Sequence, residues 1–136
     1  MWNPEASLEG ANLTSEGRVN TIAEAAMNGF HVIEGSPDKL LLDLDTPWSI
    51  LQYNRTLPKF RTLLNIRAIE TWASKNGRVH VLIHLLEPLP VHRRIAIQAM
   101  LESDPMKELL SLVRLDNGVT EPSLLFKPKE YPQPTQ

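Results

Sequence analysis

The sequence predicts a single α+β domain, and three observations lead there. Apolar residues switch between helical spacing and strand alternation along the chain. An Asn-Gly pair, Asn76-Gly77, lies between two strand-like runs. A length of 136 residues, with 42% hydrophobic and 22% charged side chains, suffices for one packed core.

The elements follow in order. Residues 1–13 are small and polar and are expected to form an irregular arm. Thr14 or Ser15 caps a helix running to about Asn28, whose apolar stripe is Val19, Ile22, Ala23 and Ala26. Gly29 suits a left-handed stop, and Phe30 to Glu34 alternates as a short strand. After a turn at Ser36-Pro37-Asp38, Lys39 to Leu44 is a buried strand that ends in acids. Thr46-Pro47 combines an N-cap with Pro at the first helical position. The helix should reach about Thr56, break at Pro58 and resume towards Leu64.

Arg67 to Ser74 and Arg78 to Leu86 form a hairpin about Asn76-Gly77, where a type I′ turn needs two positive φ angles. Glu87-Pro88-Leu89-Pro90 is a rigid connector. Helices follow over Val91 to Leu101 and Pro105 to Leu115, the second capped by Ser103 or Asp104, and Ser123 to Lys127 is a last strand. From Lys39 the order is βαββαβ, an RRM-like split βαβ sheet with helices on one face and an added N-terminal helix and strand. The domain spans 14–128, followed by a Pro-rich tail, 129–136, that is expected to be disordered.

Composition excludes some functions. There is no cysteine, so neither a disulfide framework nor a thiolate metal site is available. No signal peptide and no apolar run of membrane-spanning length is expected, which points to a cytoplasmic protein. The net charge of −2 argues against a general grip on nucleic-acid phosphates but leaves room for a local basic face.

Asp43 and Asp45 are two apart at a strand end, so their carboxylates share a face about 7 Å apart. Oxygen ligands at that spacing suit Mg²⁺ or Mn²⁺, and the same acids equally suit capping of the next helix. His80 and His84 share a strand face with Leu82, roughly 13 Å apart and too far to bind one metal. A split βαβ fold leaves that face open. Ser74, Lys75, Asn76, Gly77 and Arg78 offer a hydroxyl, two cations and turn N–H groups to a triphosphate, or form an ordinary solvated hairpin tip. Arg61, Arg67, Arg93, Arg94 and Arg114 fit solvated positions better than a nucleic-acid path, and Trp48 and Trp72 fit the core.

Taken together these pieces resemble the archaeo-eukaryotic primase superfamily, in particular phage and plasmid primase-polymerase domains, over roughly Gly29 to Phe126. The first motif is similar to Leu41-Leu42-Asp43-Leu44-Asp45, the second to Ser74-Lys75-Asn76-Gly77-Arg78-Val79-His80-Val81. The resemblance implies template-dependent nucleotidyl transfer from an NTP or dNTP, with Mg²⁺ or Mn²⁺ on Asp43 and Asp45. His80 would contact the phosphates of the nucleotide and Ser74 would assist, with Lys75 and Arg78 beside them. A third acid would be Asp104 or Asp116, and both also suit helix ends. The setting would be phage or mobile-element replication, with single-stranded or primer-template nucleic acid and replication proteins as partners. A catalytically inactive module binding single-stranded nucleic acid or a replication protein is the alternative, and a small interaction protein with no nucleotide role is a third.

Overall fold

A computed structural model describes residues 13–74 and 77–129. Of the expected arm, 1–13, residues 1–12 lie outside them, as does all of the expected tail beyond Lys129. The chain runs α1 (Ser15–Met27), β1 (Phe30–Glu34), β2 (Lys39–Leu44), α2 (Pro47–Leu64), β3 (Ile66–Ala73), β4 (Val79–Leu85), α3 (Val91–Met100), α4 (Pro105–Asp116) and β5 (Leu124–Pro128). The fold is α+β, with two antiparallel sheets: β2-β4-β3, and the pair β1-β5.

β2 explains the core. Its side chains alternate across the sheet, yet Leu40, Leu41 and Leu42 are all fully buried, because both faces are covered. On one face Leu40, Leu42 and Leu44 join Val81, Ile83 and Leu85 of β4, Tyr53 and Leu57 of α2, Ile97 of α3 and Leu101 at its C-cap. On the other, Leu41 and Leu82 meet Leu125 of β5, with Ile33 and Trp72 packed alongside. The second face is therefore not open as expected: the β1-β5 pair lies across it.

β5 pairs with β1 from Phe30–Pro128 to Glu34–Leu124, not with β2. A fourth strand beside β2 would pair with its outer edge, and here side chains and one loop N–H take that role. The Leu41 N–H donates to Gln98 Oε1 at 3.0 Å, and Lys107 Nζ donates to the Leu41 carbonyl at 2.9 Å. The Asp43 N–H donates to Ser103 Oγ at 3.0 Å, and the Asp104 N–H donates to the Asp43 carbonyl at 2.8 Å. Buried backbone groups must find partners, and α3, α4 and the turn between them supply all four.

This turns α4 inside out. Its buried residues are Lys107, Glu108, Ser111 and Arg114, while Met106, Leu109 and Leu112 are exposed. Lys107 Nζ also donates to Glu108 Oε2 at 3.2 Å, and Gln98 Nε2 donates to Glu108 Oε1 at 2.7 Å and to Ser123 Oγ at 3.2 Å. Burial and the neighbouring Arg18 push the Arg114 guanidinium down to about 10. α1 follows the same logic, and the expected core stripe is corrected: Arg18, Thr21 and Ala25 are buried, and Val19 is exposed. Arg18 Nε donates to Glu34 Oε1 at 3.1 Å, so the inner face of α1 follows ionic rather than apolar partners.

α2 is continuous across Pro58, where a break was expected. Pro58 removes the donor to the Asn54 carbonyl, and both residues are exposed, so water can serve that carbonyl. Thr46 caps the helix through a reciprocal box with Ser49. Asn65 ends it in the left-handed region at φ 49°. No helix among the described residues is long and apolar enough to cross a membrane.

Candidate functional site

The antiparallel register sets Asp43 opposite His80, and His80 opposite Trp72, in one row across β2, β4 and β3. These three side chains share the face turned to the β1-β5 pair. The β3-β4 turn then returns Arg78 over the end of β2. The Ser74 N–H donates to the Arg78 carbonyl at 2.8 Å, and the Gly77 N–H to the Ser74 carbonyl at 3.3 Å. Gly77 has φ +75°, a left-handed conformation that costs glycine nothing. Lys75 and Asn76, both expected to contribute to the site, lie outside the described residues.

Arg78 links the two acids: its Nε is 2.6 Å from Asp45 Oδ1 and its Nη1 3.7 Å from Asp43 Oδ2. His80 Nε2 is 3.5 Å from Asp43 Oδ1. On its other side, His80 Nδ1 lies 3.2 Å from the Phe126 carbonyl, which only accepts, so the ring proton belongs on Nδ1. Nε2 then turns a lone pair towards Asp43. Trp72 stacks edge-on against the imidazole, with centroids 5.7 Å apart and planes at 89°, and its Nε1 donates to the same Phe126 carbonyl at 3.2 Å. Asp43 and His80 are each only 5% exposed. The imidazole is thus a fixed, neutral base: burial, with Lys107 and Arg78 nearby, pushes its pKa down to about 4 although the Phe126 carbonyl favours the charged form.

This carries a pH prediction. Unfolded, His80 takes up a proton as pH falls below about 6.5; folded, it resists until about 4. Its contribution to stability is therefore intact above pH 6.5 and is lost between 6.5 and 4. The loss is on the order of 3 kcal/mol. Denaturant titrations at pH 7 and pH 4 should show wild type losing that much more than His80→Gln. Equal losses would mean that His80 is hydrated in the folded state.

The site gathers Asp43, Asp45, Arg78 and His80 as the sequence suggested, with Ser74 at the turn. The Ser74 hydroxyl is buried and makes no hydrogen bond within the described residues. His84 does not join them: its Nε2 lies 2.8 Å from Glu70 Oε2, which, with Lys127 adding to the effect, holds the Glu70 carboxyl below its usual range. Of the candidate third acids, Asp104 is brought close, since its N–H holds the Asp43 carbonyl, while its carboxylate caps α4 by accepting from the Met106 N–H at 3.2 Å. Asp116 lies at the far end of that helix, about 16 Å along its axis.

Arg94 and Arg114 are buried, Arg94 in a bidentate pair with Glu121 at 2.7 and 2.9 Å, which takes both off any surface path. Trp48, expected in the core, is 65% exposed. Sequence reasoning did not foresee the Phe126 carbonyl or Lys107; neither belongs to a local pattern.

Mg²⁺ or Mn²⁺ fits this donor set in part. Asp43 offers a buried carboxylate beside a neutral imidazole nitrogen, and Asp45 a second carboxylate held to it through Arg78. Among the described residues no group of three or more His, Cys, Asp or Glu is placed to hold a metal. No family model, curated protein or solved structure matches the chain.

Proposed function

We propose that this chain is a primase-polymerase-like domain that transfers nucleotides from an NTP or dNTP to a nucleic-acid 3′ end, using Mg²⁺ or Mn²⁺. One observation carries the reading: two motifs distant in sequence, Asp43-Leu44-Asp45 and Arg78-Val79-His80, meet in one site. There Asp43 faces His80 and Arg78 spans both acids. The order β2-β4-β3, with α2 between β2 and β3, matches three strands of a split βαβ sheet. Here the edge that a fourth strand would occupy is closed by α3 and α4.

In this reading Asp43 and Asp45 hold the cation, with Asp104 the nearer candidate for a third acid. The bound cation would offset the charge that develops on the phosphates. Arg78 exchanges its carboxylate partners for the triphosphate, a geometry to which its forked guanidinium is suited. Ser74 offers a hydroxyl to the same phosphates, and the His80 imidazole, fixed by Phe126, keeps its Nε2 aimed at the centre. A phage or mobile-element replication setting, in the cytoplasm of the host, fits the resemblance.

A second reading rests on the ion pair itself. If Arg78 stays on the two carboxylates, they are neutralised for good and the domain binds single-stranded nucleic acid or a replication protein without catalysis. Calorimetric titration of Mn²⁺ with a nucleoside triphosphate separates the two. Wild type should bind both together and Asp43→Asn/Asp45→Asn neither. Nucleotide binding that is indifferent to metal and to that variant would sink the catalytic reading.

A further inference from the structure

α2 and α3 lie on the same face of the three-stranded sheet, where both feed one core. Neither helix contains an Asp or Glu, although the chain as a whole carries 16 acids against 14 Lys and Arg. The charge is therefore segregated. α2 contains Arg55, Lys59 and Arg61. At about 100° per residue, Trp48, Leu51, Arg55 and Lys59 fall on one stripe. The buried residues Tyr53 and Leu57 fall on the opposite side.

That stripe faces solvent. Trp48 is 65% and Leu51 43% exposed, and Arg55 and Lys59 are exposed as well. A bare indole is costly in water, and it is most useful where a flat apolar partner can cover it. Trp48 stands in the first turn of α2, three residues after Asp45, where the chain passes from the acid end of β2 to the helix. Along the helix axis, Arg55 lies about 10 Å and Lys59 about 16 Å from Trp48.

We propose that the outward face of α2 is a track for single-stranded nucleic acid, with Trp48 stacked on a base and Arg55 and Lys59 on phosphates. An aromatic platform followed by cations on an acid-free face is the combination that grips a single strand without reading its sequence. Trp48 follows Asp45 by three residues, but α2 lies on the sheet face opposite to the one that Asp43 and His80 share, so the track is a surface separate from that site. The choice of a single strand as its occupant rests on the reading of the Asp43–His80 site as a nucleotide-handling centre. The local basic face also accounts for how a chain of net charge −2 holds a polyanion.

The test is fluorescence anisotropy with a labelled oligo-dT strand at low salt, using the full chain. Trp48→Ala should weaken binding about 5- to 150-fold. Arg55→Ala/Lys59→Ala should lower the slope of log affinity against log salt by about 1.4. Affinity unchanged in Trp48→Ala, or no oligo-dT binding by wild type, would overturn the track and leave the face to an acidic protein. A wild type that binds the strand through Trp48 yet binds no metal and nucleotide would keep the track and remove the catalytic centre.

Discussion

Lys107→Met should destabilise the domain by about 3–5 kcal/mol. Lys107 is 7% exposed, and its ammonium holds two acceptors, the Leu41 carbonyl at the outer edge of β2 and the buried Glu108 carboxylate. Met fills similar volume but takes the ammonium away from the buried Glu108 carboxylate, which keeps its bond from Gln98 and the charge of Arg114, and leaves a strand carbonyl without a donor. The cost of breaking such a pair comes mainly from the charge that remains. Lys107→Met/Glu108→Gln should therefore recover much of the loss, because the surviving group is then neutral and still bonded by Gln98. Denaturant unfolding of the wild type, both singles and the double gives the coupling directly. A loss under about 1 kcal/mol for Lys107→Met would mean that the α4 ammonium is solvated, as exposed pairs are.

The same network locates Asp43, which leads to the second large effect. If the domain transfers nucleotides as proposed, incorporation on a primed template in Mn²⁺ should fall at least about a thousandfold in Asp43→Asn/Asp45→Asn, since one preorganised electrostatic group is commonly worth 10²–10³. Asn keeps the shape and removes the charge that the metal needs. Arg78→Ala should act differently. It unmasks both carboxylates, so metal affinity should hold or rise while the KM for nucleotide increases, the guanidinium being lost as a phosphate partner. Full incorporation by the Asp variant would remove both acids from the chemistry.

Local features of the chain were legible. The run Leu40 to Asp45 announced a buried strand with acids at its end, Thr46-Pro47 announced the start of α2, and the strands flanking Asn76-Gly77 fell within a residue of β3 and β4. Each depends on neighbours in sequence. Misreadings arose where a distant partner decided the outcome. The apolar stripe of α1 points outward because Arg18 is drawn in by Glu34, and α4 buries Lys107 and Glu108 because the outer edge of β2 requires donors and acceptors. No periodicity encodes a strand edge a helix away. β5 was found as a strand, yet its pairing with β1 rather than β2 depends on that same edge being already satisfied. Within the site, Asp43, Asp45, Arg78 and His80 were legible as motifs. The Phe126 carbonyl that sets the His80 tautomer was not, since any residue type supplies a backbone carbonyl.

The most direct test of the proposed metal–nucleotide site is Mn²⁺ titration followed by NMR of the four histidines, His31, His80, His84 and His92, with and without a nucleoside triphosphate. Paramagnetic broadening falls steeply with distance. A cation held by Asp43 and Asp45 should broaden the His80 imidazole first and most, more so with nucleotide, and should leave His80 unaffected in Asp43→Asn/Asp45→Asn. Broadening that spares His80, or that persists in that variant, would contradict a metal–nucleotide centre between β2 and β4.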